Sequence, residues 1–132
     1  MQQHEKWLSR AEDDLKFARL GLENAFYAQV CFLAQQSVEK SLKAFLLFNG
    51  RLYPKTHKLV ELWPLCYEIK TELLGYEKEF KVIDGYYIPT RYPDAVPASS
   101  VSMPSLGDAK EALNAAEDVH RIIKRWIEKK SS

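Results

Sequence analysis

The stretch that decides the fold is residues 34–47, AQQSVEKSLKAFLL. Its apolar residues recur at the period of an α-helix. Its polar residues recur beside them at i, i+3, i+4 and i+7 and form what we call the polar ridge: Gln36, Glu39, Lys40 and Lys43. Glu39 precedes Lys43 by four residues, which is the favourable order for an ion pair on a helix. The stretch therefore predicts a helix that is mostly buried and carries one line of polar side chains.

The same periodicity predicts helices on either side of this one. The predicted segments are residues 3–22, 25–48 (which contains the polar ridge), 58–74, 77–87 and 106–129. Pro64 predicts a kink or a split near residues 62–63, because proline removes a helical hydrogen bond. No segment alternates like a strand. The sequence thus predicts one all-α domain over residues 1–132, an up-and-down bundle of about five helices with a long loop, residues 88–105, before the last helix.

Composition limits the classes of function. The net charge of +1 gives no overall attraction to nucleic acid, so any RNA binding must come from a local patch. Cys31 and Cys66 lie in apolar runs, which favours buried reduced thiols over a disulfide or a metal site. We expect no metal and no cofactor. The chain shows no apolar leader and no run that would span a membrane, so we expect a cytoplasmic protein that does not bind membranes.

Arg91 is the first candidate site residue. It lies between Pro89 and Pro93, which predicts a rigid turn, and a guanidinium fork matches two phosphate oxygens. Tyr87 and Tyr92 beside it are suited to stacking on a base, as aromatic side chains do in proteins that bind single-stranded RNA. The alternative is structural, with Arg91 paired to a carboxylate of the loop or of the first helix.

Two further candidates and the polar ridge each have more than one interpretation. Asp14 lies close to a buried face and needs a partner, so it either orients a basic residue at a site or forms a structural ion pair or reaches water. His120 falls on the inner face of the last helix, where it is a satisfied core residue or, if that helix packs near Arg91, an acid or base. The polar ridge is a solvated face, a dimer surface, or a phosphate cleft in which Lys40 or Lys43 acts with Arg91.

Several segments together resemble the HEPN family (higher eukaryotes and prokaryotes nucleotide-binding). Residues 34–44 resemble its AQQAxEKxLKA signature, and residues 85–95, GYYIPTRYPDA, resemble its YYIPTRYPDA block. Residues 56–59, THKL, resemble its THxL element, and Trp7, Ala11 and Ala18 resemble its first helix. The resemblance extends over almost the whole chain in the family's order. It implies a helical bundle that commonly forms homodimers with clefts at the subunit interface.

The resemblance also implies an activity and a partner. Many HEPN domains are metal-independent RNases with an Arg-x(4–6)-His motif, whose arginine steadies the phosphate and whose histidine transfers a proton or helps to hold the phosphate. No histidine follows Arg91 at that spacing, through Ala98. Arg51 and His57 fit the spacing, but they lie in the connector after the second helix, where His57 is predicted to be a cap or packing residue. The family's stand-alone members are paired with minimal nucleotidyltransferases in toxin–antitoxin-like systems.

Three functions are consistent with the sequence. The leading one is a module that binds nucleotide or RNA phosphate through Arg91, Lys40 and Lys43, with Tyr87 and Tyr92 beside them, as one half of a nucleotidyltransferase/HEPN pair. The second is a metal-independent endoribonuclease in which Arg91 acts with His120, Asp14 or Tyr92. The third is a dimeric helical protein that only makes protein contacts. The sequence leaves open whether the chain is an enzyme.

Overall fold

The computed structural model describes residues 2–91 and 103–131, and for residues 87–91 it describes the backbone alone. These ranges contain helices and no strand. The helices are α1 (Gln3–Glu23), α2 (Tyr27–Phe48), α3 (Leu59–Tyr67), α4 (Glu77–Arg91) and α5 (Leu106–Ser131), with a 3-10 segment (Thr71–Tyr76) between α3 and α4. The prediction of an all-α bundle with five helices is confirmed.

Helix α2 is the centre of the bundle, and it packs against each of the other four helices. The apolar stripe that predicted it is fully buried: Val30, Ala34, Val38, Leu42 and Phe45. Asn49 ends the helix, and the next residue, Gly50, has a φ of 72°, a left-handed conformation that glycine adopts at little cost. The sequence therefore predicted both the central position of α2 and its end.

Helix α3 is shorter than the predicted segment 58–74. It contains Pro64, yet it continues to Tyr67, so of the predicted kink or split near residues 62–63 the split is wrong. Proline costs this helix one backbone hydrogen bond, whereas burial of Leu62 and Cys66 on either side favours its continuation. The chain leaves the helix only after Tyr67, and the Trp63 Nε1 atom then donates to the Leu73 carbonyl at 2.6 Å, which holds the 3-10 segment against α3.

Helix α4 is longer than predicted. Its backbone remains helical through Pro89 to Arg91, so the loop does not begin at residue 88 and Arg91 does not lie in a turn fixed by prolines. A proline removes one hydrogen bond from a helix but does not force the next residues out of it. Tyr92 and the following residues to Ser102 lie outside the described ranges. The last helix begins at Leu106, as predicted.

Helix α4 runs antiparallel to α5. Tyr76, at the start of α4, lies near Asp118, whereas Tyr86 makes a hydrogen bond with Asp108 near the start of α5. The direction of α4 is also fixed by Asp84, whose two carboxylate oxygens accept the backbone N–H groups of Leu59 (2.7 Å) and Val60 (3.0 Å) at the start of α3. The middle of α4 is thus anchored beside the first turn of α3.

The two cysteines are buried and unbonded to each other, as predicted. Burial raises the pKa of both the Cys31 and the Cys66 thiols to about 12, so neither is an accessible thiolate at neutral pH. Among the helices of the described ranges, none combines the length and apolar character needed to cross a membrane.

Candidate functional site

The polar ridge of α2 is not a solvated face, because Glu39 and Lys43 are buried. The Glu39 carboxylate accepts a hydrogen bond from the Lys43 ammonium at 2.8 Å and another from the Gln35 side-chain amide at 3.3 Å. The Nδ1 atom of His57 lies 3.2 Å and 3.3 Å from its two oxygens. Since a carboxylate only accepts, this contact requires the proton on Nδ1 of His57. Glu39 is therefore the hub of a group that joins α2 to the connector before α3.

Lys43 is enclosed by aromatic rings as well as by its carboxylate. Its ammonium lies 5.6 Å from the centre of the Trp7 ring and 5.1 Å from that of Tyr53. The two rings are themselves in edge contact, with centroids 6.2 Å apart. Only 8% of the Lys43 side chain is exposed, so an external phosphate does not reach this ammonium in the described arrangement. From this position Lys43 holds α1, α2 and the connector together, through its ion pair with Glu39 and its cation–π contacts with Trp7 and Tyr53.

His57 is the exposed member of the group. Its side chain is 62% exposed while one ring nitrogen is held by the buried Glu39. Its backbone is also fixed, because the Gln35 amide donates to the His57 carbonyl at 2.7 Å and the Gln36 amide donates to Gln35 at 2.6 Å. The contact with Glu39 therefore fixes the orientation of the His57 ring, and most of the side chain remains exposed to solvent. Such a carboxylate–imidazole pair can orient a histidine for proton transfer or for a bond to phosphate.

The structure therefore changes the role predicted for His57. Instead of capping α3, its ring binds Glu39, eighteen residues earlier in the chain. The AQQSVEK and THKL elements, which are separate in sequence, meet at this contact. The resemblance of these elements to family motifs was a signal for His57, although the Arg51 and His57 spacing was set aside because both residues lie in the connector after the second helix.

Asp14 and Lys40 form a second ion pair, between α1 and α2, at 2.7 Å. It is half-buried, with 16% of the Asp14 side chain and 21% of the Lys40 side chain exposed. Burial raises the pKa of Asp14, and the hydrogen bond from Lys40 only partly opposes that shift. Asp14 thus has the cationic partner that its position required, and the pair ties two helices together.

Arg91 is the last residue of α4 and follows Asp84 by seven residues. At 1.5 Å per residue, its backbone lies roughly 10 Å along the axis from the residue that caps α3. His57 precedes Leu59 by two residues, so the middle of α4, at Asp84, and the exposed imidazole both lie beside the start of α3. The side chains of Arg91 and Tyr87, and all of Tyr92, lie outside the described residues.

His120 occupies a different region. The residue is buried and lines a groove of about 360 Å³ between α1 and α5. Its Nε2 atom has no hydrogen-bond partner in the described part of the chain. Burial lowers the pKa of His120, which keeps the ring neutral near pH 7. It lies twelve residues, roughly 18 Å, further along α5 than Asp108, which Tyr86 contacts. Since α4 continues away from there, His120 and Arg91 are too far apart to act on one phosphate.

The comparisons with known proteins agree with this fold. The family model of the HEPN domain matches residues 4–126, which is nearly the whole chain. The chain belongs to the HEPN family. In the described residues, no group of three or more acidic, histidine or cysteine side chains is arranged to hold a metal ion.

Three relatives define the similarity. The chain is 28% identical to MJ1304 of Methanocaldococcus jannaschii, over 94% of this chain and 88% of that protein, whose name assigns it provisionally as a toxin. The crystal structure of TT1696 from Thermus thermophilus has a TM-score of 0.78 and 31% identity, covering 95% of this chain and 98% of that one. ST0689, described as an archaeal HEPN homologue, has a TM-score of 0.74 and 30% identity, covering 96% and 99%.

Proposed function

We propose that this HEPN chain is one half of a toxin–antitoxin-like pair and binds RNA or nucleotide phosphate through His57 and Arg91. The observation that carries the proposal is the exposed imidazole of His57, which the buried Glu39 holds in one orientation. Arg91, the last residue of α4, would contribute a guanidinium, a group that suits phosphate. Tyr87 and Tyr92 would stack on a base beside it.

The polar ridge contributes differently from what its charges suggest. Lys43 acts indirectly, by fixing Glu39 and hence His57. Lys40 is more exposed than Lys43, but its charge is shared with Asp14, so its contribution to phosphate binding is secondary to that of Arg91.

The test of binding is fluorescence anisotropy with a labelled single-stranded RNA in EDTA. We expect Arg91→Ala to weaken binding at least about tenfold, which is the cost of losing one charge-assisted contact. The matched control is Arg10→Ala, which removes an exposed arginine of α1. Equal affinity of the wild type and Arg91→Ala, with both folded, would reject Arg91 as the phosphate ligand. If neither the wild type nor either variant binds RNA or nucleotide, the binding function is rejected, and the function that remains is that of a protein that only makes protein contacts.

A second candidate function, metal-independent RNA cleavage, is favoured by the same Glu39–His57 contact. A histidine oriented by a carboxylate serves as general acid or base, and Arg91 would steady the phosphate. His57 here takes the place of the histidine that the Arg-x(4–6)-His motif would supply.

Cleavage in EDTA distinguishes the two functions. An endoribonuclease of this kind loses cleavage in His57→Ala while still binding RNA, and it does not cleave a substrate with 2′-deoxy residues if the 2′-hydroxyl is the nucleophile. Binding without cleavage by the wild type leaves the binding module. Retained cleavage in His57→Ala assigns the proton transfer to another residue.

The proposed pair also requires a second protein, a minimal nucleotidyltransferase, and a homodimer of this chain is part of the same proposal. Co-expression with a nucleotidyltransferase encoded beside the gene, followed by light scattering of the purified complex, tests both. A monomer that does not retain the transferase would contradict the pairing without affecting the RNA-binding test.

A further inference from the structure

The second large groove of the molecule lies between α4 and α5. It has a volume of about 350 Å³. Its floor is apolar and consists of the buried side chains of Ile83, Ala112 and Ala115. Val82 stands at its edge with 47% of its surface exposed. An apolar floor with an exposed aliphatic side chain beside it is the usual form of a groove that accepts the apolar face of a helix.

The rim of this groove is acidic. Four carboxylates line it, Glu79, Asp108, Glu111 and Asp118, against one cation, Lys78. Asp118 is paired with Arg121 at 2.7 Å, and Asp108 accepts the Ser105 backbone N–H at 3.0 Å. Within the described ranges no cation lies at ion-pair distance from Glu79 or Glu111. The buried Oε2 atom of Glu79 also has no hydrogen-bond partner there.

Two tyrosines near these carboxylates, Tyr76 and Tyr86, have raised pKa values to which the carboxylates contribute after burial. The pKa of Tyr76 is raised by burial and then by Asp118 and Glu72. The pKa of Tyr86 is raised to about 12 by burial and then by Asp108. The groove is therefore negative in a chain whose net charge is +1, so its charge is a local feature.

We propose that the groove between α4 and α5 docks a cationic amphipathic helix of a partner protein. Apolar side chains of that helix would pack on the floor and against Val82, and its arginine or lysine side chains would pair with Glu79 and Glu111. The inference rests on the proposed pair only in requiring a protein partner, and it does not depend on RNA binding.

Other occupants fit less well. RNA would bring phosphates against four carboxylates, which costs electrostatic free energy. A second copy of this chain offers a basic end of α5, Lys129 and Lys130, but the apolar residues of that segment, Ile123 and Ile127, are buried in its own core. That segment therefore supplies the charge without the apolar side chains that the floor requires.

The test uses a labelled leucine–lysine peptide designed as an amphipathic helix, and a scrambled peptide of the same composition whose leucines do not share one face. Binding is measured by fluorescence anisotropy to the wild type, Val82→Glu and Glu111→Lys. The matched control is Glu68→Lys, which reverses an exposed carboxylate outside the groove. Thermal melts establish that each variant is folded.

We expect the amphipathic peptide to bind the wild type and Glu68→Lys equally, and to bind Val82→Glu and Glu111→Lys at least about tenfold more weakly. The scrambled peptide should also bind at least about tenfold more weakly than the amphipathic one. Equal binding of the scrambled peptide would mean that charge alone attracts the probe and would overturn the proposal. So would unchanged binding in the two groove variants, or no binding at all.

Two controls separate this inference from the proposed function. Val82→Glu and Glu111→Lys should bind RNA like the wild type, whereas Arg91→Ala should lose RNA and keep the peptide. If Val82→Glu instead changes the oligomeric state in light scattering, the occupant of the groove is a second copy of this chain, and the proposal of a different partner is overturned.

Discussion

Two ion pairs lie side by side on α2 and differ mainly in burial. The Glu39–Lys43 and Asp14–Lys40 contacts are almost equal in length, 2.8 Å and 2.7 Å. In the first pair less than a tenth of either side chain is exposed, whereas in the second pair about a fifth is. Lys40 and Lys43, which are neighbours on the polar ridge, therefore have different structural roles. The Glu39–Lys43 pair organises the site around His57, and the more exposed Asp14–Lys40 pair joins two helices.

The difference follows from solvation. When a buried charge loses its partner, water cannot solvate it in the partner's place. A charge on a more exposed side chain is partly rehydrated. Glu39 moreover has three donors, from Gln35, Lys43 and His57, so its loss affects all of them. The comparison predicts that equal mutations in the two pairs have unequal effects.

The largest effect is expected for Glu39→Ala. It leaves the Lys43 ammonium buried without its carboxylate, which typically costs about 3–5 kcal/mol of the free energy of unfolding. Urea denaturation of both proteins measures this loss. The double variant Glu39→Leu/Lys43→Met replaces the pair by apolar side chains and should recover at least half of it. A double variant as unstable as Glu39→Ala would show that the unpaired charge is not the cause.

Lys43→Met should have a smaller effect, about 1–2 kcal/mol, because Glu39 keeps hydrogen bonds from other donors. The substitution retains the length of the side chain between Trp7 and Tyr53 and removes only its charge. The same denaturation series tests it. A loss as large as that of Glu39→Ala would mean that Gln35 and His57 do not compensate the Glu39 carboxylate for the lost ammonium.

Asp14→Asn should change the free energy of unfolding by no more than about 1 kcal/mol at pH 7. The pKa of Asp14 is raised in the folded state above 3.8, so the folded protein binds this proton more tightly than the unfolded chain does. The stability of the wild type relative to Asp14→Asn should therefore fall as the pH rises from about 3.8 through the raised pKa. A relative stability that increases over this range would contradict the burial argument.

The smallest effect on stability is expected for His57→Ala, about 0.5 kcal/mol, because its side chain is mostly exposed and Glu39 keeps Lys43. If the cleavage candidate holds, the same variant should lose activity. Thermal melting and the RNA assays on one sample give both results. A large loss of stability would instead make His57 a structural residue, in contrast with the exposed orientation of its ring.

The site could be predicted only in part. The polar ridge and the THKL element were recognised from the sequence, but their contact was not, because no local rule states that Glu39 meets a residue eighteen positions later. The ridge was given three interpretations, and none of them was a buried ion pair under Trp7 and Tyr53. The roles of Arg91, Tyr87, Tyr92 and Lys40 in phosphate binding remain predictions, whereas the burial of Lys43 leaves it only an indirect role.

The sequence by itself determined the helices and the family. Helical periodicity depends on residues within a few turns of one another, so it could be predicted from the local sequence. The same holds for the end of α2 at Asn49 and Gly50 and for the start of α5 at Leu106. The tertiary structure decided which charges are buried, that α4 leads Arg91 away from His120, and that an acidic groove remains beside α5. These depend on how distant helices pack, because solvation and the distance between charges are set only once the core has excluded water.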